Sequence, residues 1–122
     1  STQVKEKVYD RANLGLVLLH KAPNHTLSIP IKQLEYMASG LPSISSKEVV
    51  FCKEVVEKEN CGIVVNPLDT NEIAEAIKRI INNPLLAKEM SENAINAAKS
   101  KNITEIISNF IIFLVIIITA FS

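Results

Sequence analysis

SIPIKQLEYMASGLPSI, residues 28–44, decides how this 122-residue chain folds. It reads as a helix start, a short amphipathic helix, a Gly-Leu-Pro turn and a buried strand. Ser28 is placed to accept a hydrogen bond from the first free helical N–H groups. Pro30 belongs in the first turn, where its fixed φ helps and its missing N–H costs little. Ile31, Leu34, Ala38 and Leu41 recur at helical spacing and are predicted to face a core. Gly40 permits the backbone reversal that ends the helix, and Pro42 keeps it from resuming.

Glu35 lies one turn after Ile31, at the border of the apolar stripe. Helical side chains lean toward the N-terminus, so its carboxylate is predicted to point back toward the helix start. The free N–H groups of Ile31 and Lys32, the positive end of the helix dipole and the Lys32 ammonium meet there. Together they form an anion site with a carboxylate beside it to take hydroxyl donors, which suits a ligand carrying both phosphate and a diol. The competing reading is an exposed Lys32–Glu35 pair at i,i+3 spacing, of small energetic value.

Working outward, Leu14–Leu19 is an apolar run one strand long, as in a parallel sheet covered on both faces. The loop after it, His20–Leu27, falls where ligands bind in open α/β sheets and offers His20, Lys21, Asn24, His25 and Thr26 as contacts. Neither histidine has a carboxylate at a spacing that implies an oriented base, so neither is assigned acid–base work. Upstream, Val4–Arg11 reads as the end of a surface helix. Downstream, Pro42–Ser45 is a second strand. Ser46 is predicted to cap a helix over Glu48–Lys58, packed through Val49, Val50, Cys52, Val55 and Val56. Ile63–Val65 is a third strand.

Asp69 and Glu72 form a capping box for the following helix, whose buried stripe is Ile73, Ala76, Ile77, Ile80 and Ile81. That structural role leaves neither acid as a catalytic candidate. Asn82-Asn83-Pro84 breaks the helix. Leu85–Ser100 resumes, with Leu86, Met90, Ala94 and Ala97 inward. Strands alternating with helices predict an α/β fold: a partial doubly wound, Rossmann-like parallel sheet of about three short strands with right-handed crossovers.

Residues 28–44, then CGIVVNPLD and the helix opening NEIAEAI, occur in the order seen in the donor-binding half of retaining GT-B glycosyltransferases of the group 1 type. The chain resembles that family from about residue 13 to residue 98. The resemblance implies an enzyme that uses a nucleotide-diphosphate sugar without a metal or other cofactor, its donor lying between two domains. It makes Glu35 the contact to the ribose hydroxyls, and Ser28, Ile31 and Lys32 the surroundings of the diphosphate. It adds Ser45 and Ser46 as weaker contacts near the donor. Family members usually carry another glutamate eight positions before the one matching Glu35. Here that position is Leu27, so the contact to the transferred sugar is not implied. No residue is assigned as catalytic. Residues 1–101 are accordingly expected to be only the C-terminal half of a donor-binding domain. An acceptor-binding N-terminal domain is therefore expected upstream, and the chain by itself is expected to be inactive.

The totals exclude several classes. Thirteen basic residues balance 13 acidic ones, aromatics are 5% and Trp is absent. Nucleic-acid binding therefore has neither a basic field nor stacking platforms to rest on. Cys52 and Cys61, the two cysteines, do not have zinc-site spacing and read as a reduced cytosolic pair. Residues 102–122 form a separate apolar tail. Its uninterrupted part, Phe110–Phe121, is shorter than the roughly 20 residues that span a bilayer. Three readings stand for residues 106–121: a buried or membrane-contacting end, a short anchor, or an aberrant terminus. The last is favoured, because an exposed β-branched run invites aggregation. Cutting after Lys101 is accordingly expected to improve solubility. Two other functions remain beside the glycosyltransferase: a non-catalytic nucleotide-binding or interaction module, and a small membrane-associated protein.

Overall fold

The computed structural model describes residues 12–20, 26–100 and 103–121. Among these it forms three strands, β1 (Gly15–Val17), β2 (Ser43–Ser46) and β3 (Gly62–Val65). Five helices accompany them: α1 (Ile31–Ala38), α2 (Val50–Glu59), α3 (Thr70–Ile81), α4 (Pro84–Ser100) and α5 (Ile103–Phe121). The strands make one parallel sheet in the order β1-β2-β3, with Leu16 opposite Ile44 and Ile44 opposite Ile63. This is the Rossmann-like α/β architecture that the alternation of elements predicts. The helix expected over Val4–Arg11 lies outside the described residues.

The sheet is covered on both faces. Alternation along a strand sends Val17, Ser43 and Ser45 to one side and Ile44 and Val65 to the other. Val17 joins α1 and α2 in a cluster with Leu34, Met37, Phe51 and Val56. Ile44 and Val65 join Ala76 and Ile80 of α3. α4 reaches both clusters, with Met90 in one and Ala94 and Ala97 in the other. At the edge, β1 leaves Leu16 42% exposed, so its run is not covered on both faces as expected.

Local chemistry sets the element ends. α1 closes in a Schellman turn: Leu41 N–H donates to Tyr36 C=O at 2.9 Å and Gly40 N–H to Met37 C=O at 3.1 Å. Gly40 adopts φ +72°, a conformation costly for residues with a Cβ. Asp69 Oδ1 accepts from Glu72 N–H at 3.0 Å and caps α3. Asn83 Oδ1 accepts from Leu86 N–H at 3.2 Å ahead of α4, whose first residue is Pro84.

Several expectations are corrected. Pro30 rather than Ser28 occupies the N-cap position of α1, and it makes no side-chain hydrogen bond. Its buried face is Gln33, Leu34 and Met37, while Ile31 is 69% exposed and Ala38 is exposed too. The face has rotated because Gln33 finds polar partners inside, described below. α2 begins at Val50 behind Val49, again without a side-chain cap. Ser46 Oγ instead accepts from Glu48 N–H at 3.1 Å, within the turn before it. Phe51, absent from the expected packing face, is fully buried, and Ile81 of α3 is exposed. Cys52 and Cys61 are free and buried. Burial pushes both thiols up to about 12, helped by their mutual proximity at Cys52 and by Glu59 at Cys61, as suits small core residues.

The tail is one helix with an anchored beginning. Ile106 and Phe110 are buried, and the Phe110 ring meets Phe51 edge-on at 5.0 Å and 83°. Beyond them Ile111, Ile112, Val115, Ile116 and Ile118 are exposed. Among the described residues no helix is long and apolar enough to cross a membrane. The anchor changes the expected effect of truncation. Cutting after Lys101 removes Phe110 from Phe51 and should cost about 3 kcal/mol, as for other large-to-small losses in a core. Cutting after Leu114 keeps the anchor and removes Val115, Ile116 and Ile118, so this shorter cut is the one expected to improve solubility. Thermal melts and solubility of both truncations check this; a Lys101 truncation that melts with the full chain would contradict it.

Candidate functional site

In a parallel sheet joined by crossover helices, each helix starts at the carboxyl end of the strand before it. β1 therefore delivers His20 to that end, α1 opens there with Ile31 and Lys32, and β2 delivers Ser46, Lys47 and Glu48 beside them. The corresponding loop after β3 carries Asn66 and the Asp69 cap.

A buried polar network fixes α1 against β2. Gln33 Nε2 donates to Ser43 Oγ at 3.0 Å, and Ser45 Oγ donates to Gln33 Oε1 at 2.6 Å. The three residues have no exposed surface. Ser43 and Ser45 are two apart on a strand and so share a face, which lets one amide reach both hydroxyls. On the outer flank, the Tyr36 hydroxyl donates to Leu16 C=O at 3.3 Å. α1 is thereby held to both strands, and its first turn is set at the carboxyl edge.

The six contact residues that the resemblance implies divide. Ile31 and Lys32 are exposed in the first turn of α1, where the leading N–H groups have no acceptor within the helix. Glu35 is partly buried one turn further on, on the face it shares with them. Ser28 is partly buried just ahead of the helix. Ser45 is enclosed in the Gln33 network, and Ser46 is buried with its hydroxyl engaged by Glu48 N–H. Leu27 is 55% exposed. Lys21, Asn24 and His25 lie outside the described residues.

One pairing was not legible in the sequence. His20 Nδ1 lies 3.5 Å from Glu48 Oε2, within ion-pair distance. The two residues follow different strands, and only the β1–β2 pairing brings them together. Among the described residues no group of three or more His, Cys, Asp and Glu side chains is placed to hold a metal ion.

The sheet, its two helical layers and the polar carboxyl edge define a Rossmann-like α/β module. A family model described as glycosyl transferases group 1 matches residues 5–100, and the chain belongs to that family. An uncharacterized glycosyltransferase of Haemophilus influenzae is 27% identical over 88 residues, covering 72% of this chain and 25% of the relative. The alpha-D-kanosaminyltransferase of Streptomyces kanamyceticus is 33% identical over 72 residues, covering 59% of this chain and 18% of the relative. The matches thus span a quarter or less of the length of these curated relatives. No solved structure matches the chain.

Proposed function

We propose that this chain seats the nucleotide-diphosphate end of a sugar donor at the carboxyl edge of its sheet, for glycosyl transfer with retention. The observation that carries the reading is the start of α1: Ile31 and Lys32 exposed at that edge, with Glu35 one turn behind on the same face. Backbone N–H groups and the Lys32 ammonium hold phosphate oxygens, and the Glu35 carboxylate accepts from the ribose diol. Fixed positive groups stabilise the charge that develops on the leaving diphosphate, so the proposed site works without a metal. Ser45 serves this site by locking Gln33, and thereby α1, in place. Groups that bind the acceptor come from residues outside those described.

Glu35→Ala provides the test. It should weaken a nucleoside diphosphate about tenfold by removing a charge-assisted contact, and leave inorganic pyrophosphate, which has no ribose, unchanged. Calorimetric or NMR titration of both ligands reads this. Equal affinity of wild type and variant for the nucleoside diphosphate would remove Glu35 from the site.

A second reading, donor binding without transfer, is favoured by Leu27. It presents an exposed apolar side chain where the resembled family usually has an acid. Contact of residues 106–121 with a membrane surface is supported only by the exposed side of α5.

A further inference from the structure

The Glu48 carboxylate is in an unusual position. Its Oε2 atom is shielded from solvent and accepts no hydrogen bond from the described residues, while His20 Nδ1 stands 3.5 Å away, outside good hydrogen-bond geometry. A shielded carboxylate oxygen without a donor is costly, and a small approach of the imidazole would satisfy it. An Nδ1–H held toward Glu48 also fixes the tautomer, leaving Nε2 as the second ring atom able to bond. The His20 side chain is 60% exposed, against 23% for Glu48, so the histidine is the more accessible partner. Both residues stand beyond the ends of β1 and β2, at the carboxyl edge where α1 also opens.

We propose that His20, oriented by Glu48, is a further contact to the donor diphosphate, completing across β1 and β2 the anion site that α1 begins. The inference rests on the donor-binding reading above. In it Glu48 is a positioning residue: it draws Nδ1–H inward, and Nε2–H donates to a phosphate oxygen. The proposal transfers no group and needs no co-reactant.

Inorganic pyrophosphate is the probe, since it carries the shared chemistry of every nucleoside diphosphate without base or ribose. NMR titration of the whole chain follows the His20 ring and the Ile31 and Lys32 amides together. All three are expected to shift along one saturation curve. His20→Ala should weaken the probe about three- to fivefold, the effect of a partly exposed charged contact, and His20→Lys should restore most of the loss by returning a cation. A merely structural histidine would not be rescued in this way. Glu48→Gln should change affinity in the wild-type background and have no effect in the His20→Ala background, because it acts through the histidine. Shifts at Ile31 and Lys32 with a silent His20 ring and unchanged His20→Ala affinity would overturn this inference and leave the function standing. Silence at all three positions would overturn both. Independent effects of Glu48→Gln and His20→Ala would remove Glu48 from the positioning role.

Discussion

Gly62→Ala is expected to lower the stability of this chain sharply. Gly62 opens β3 directly opposite Ser43 of β2. A Cβ there would stand 2.8 Å from both the Ser43 carbonyl carbon and its Oγ, and closer still to the carbonyl oxygen. The carbonyl carbon and oxygen belong to backbone, so no rotamer change relieves that clash, and β2 is the central strand of the sheet. The hydrogen bond from Ser43 N–H to Cys61 C=O, 3.2 Å long, would be among the first to break. Overpacking of this kind costs roughly 3 kcal/mol or more, a large share of the stability of a small domain. Urea denaturation followed by circular dichroism checks this, and a midpoint within error of wild type would show that β3 does not pair with β2 as described.

The second large effect concerns Gln33. Replacing it by Met keeps length and flexibility but leaves Ser43 Oγ without its donor and the Ser45 hydroxyl without its acceptor, in a region with no solvent access. Each orphaned group costs about 1–3 kcal/mol, so Gln33→Met should destabilise by roughly 2–4 kcal/mol. The same argument predicts recovery. Adding Ser43→Ala and Ser45→Ala removes the orphans, and the triple variant should regain most of the loss. A triple variant less stable than Gln33→Met alone would mean that the serines contribute through other contacts.

That network also explains why the sequence misled at α1. Apolar spacing pointed to Ile31 and Ala38, because a glutamine in the stripe scores as polar. Gln33 becomes acceptable inside only once β2 has placed Ser43 and Ser45 on one face beneath it. Features decided within a few residues were legible: the Gly40 reversal, the Asp69–Glu72 cap, the Asn83-Pro84 restart and the parallel α/β order. Features decided by tertiary neighbours were not. Phe51 packs against Phe110, which arrives from α5, and a buried end, a reading of the tail that its composition did not favour, holds for its first turns. His20 lacked a nearby acid in the sequence, yet strand pairing supplies Glu48. Of the candidate site, the start of α1 could be read in advance. The half that follows β1 and β2 could not.

The central claim is that a phosphate-bearing nucleotide is seated at the start of α1. The most direct measurement is an amide NMR titration of the wild-type chain with a nucleoside diphosphate. The predicted result is a set of saturable shifts at Ile31, Lys32 and Glu35, with little change along α2 and α5. There, a cavity of about 170 Å³ lined by Phe51, Val55, Lys58, Phe110 and Phe113 offers an alternative, largely apolar place to bind. Shifts confined to that cavity, or no shifts at saturating ligand, would contradict the account.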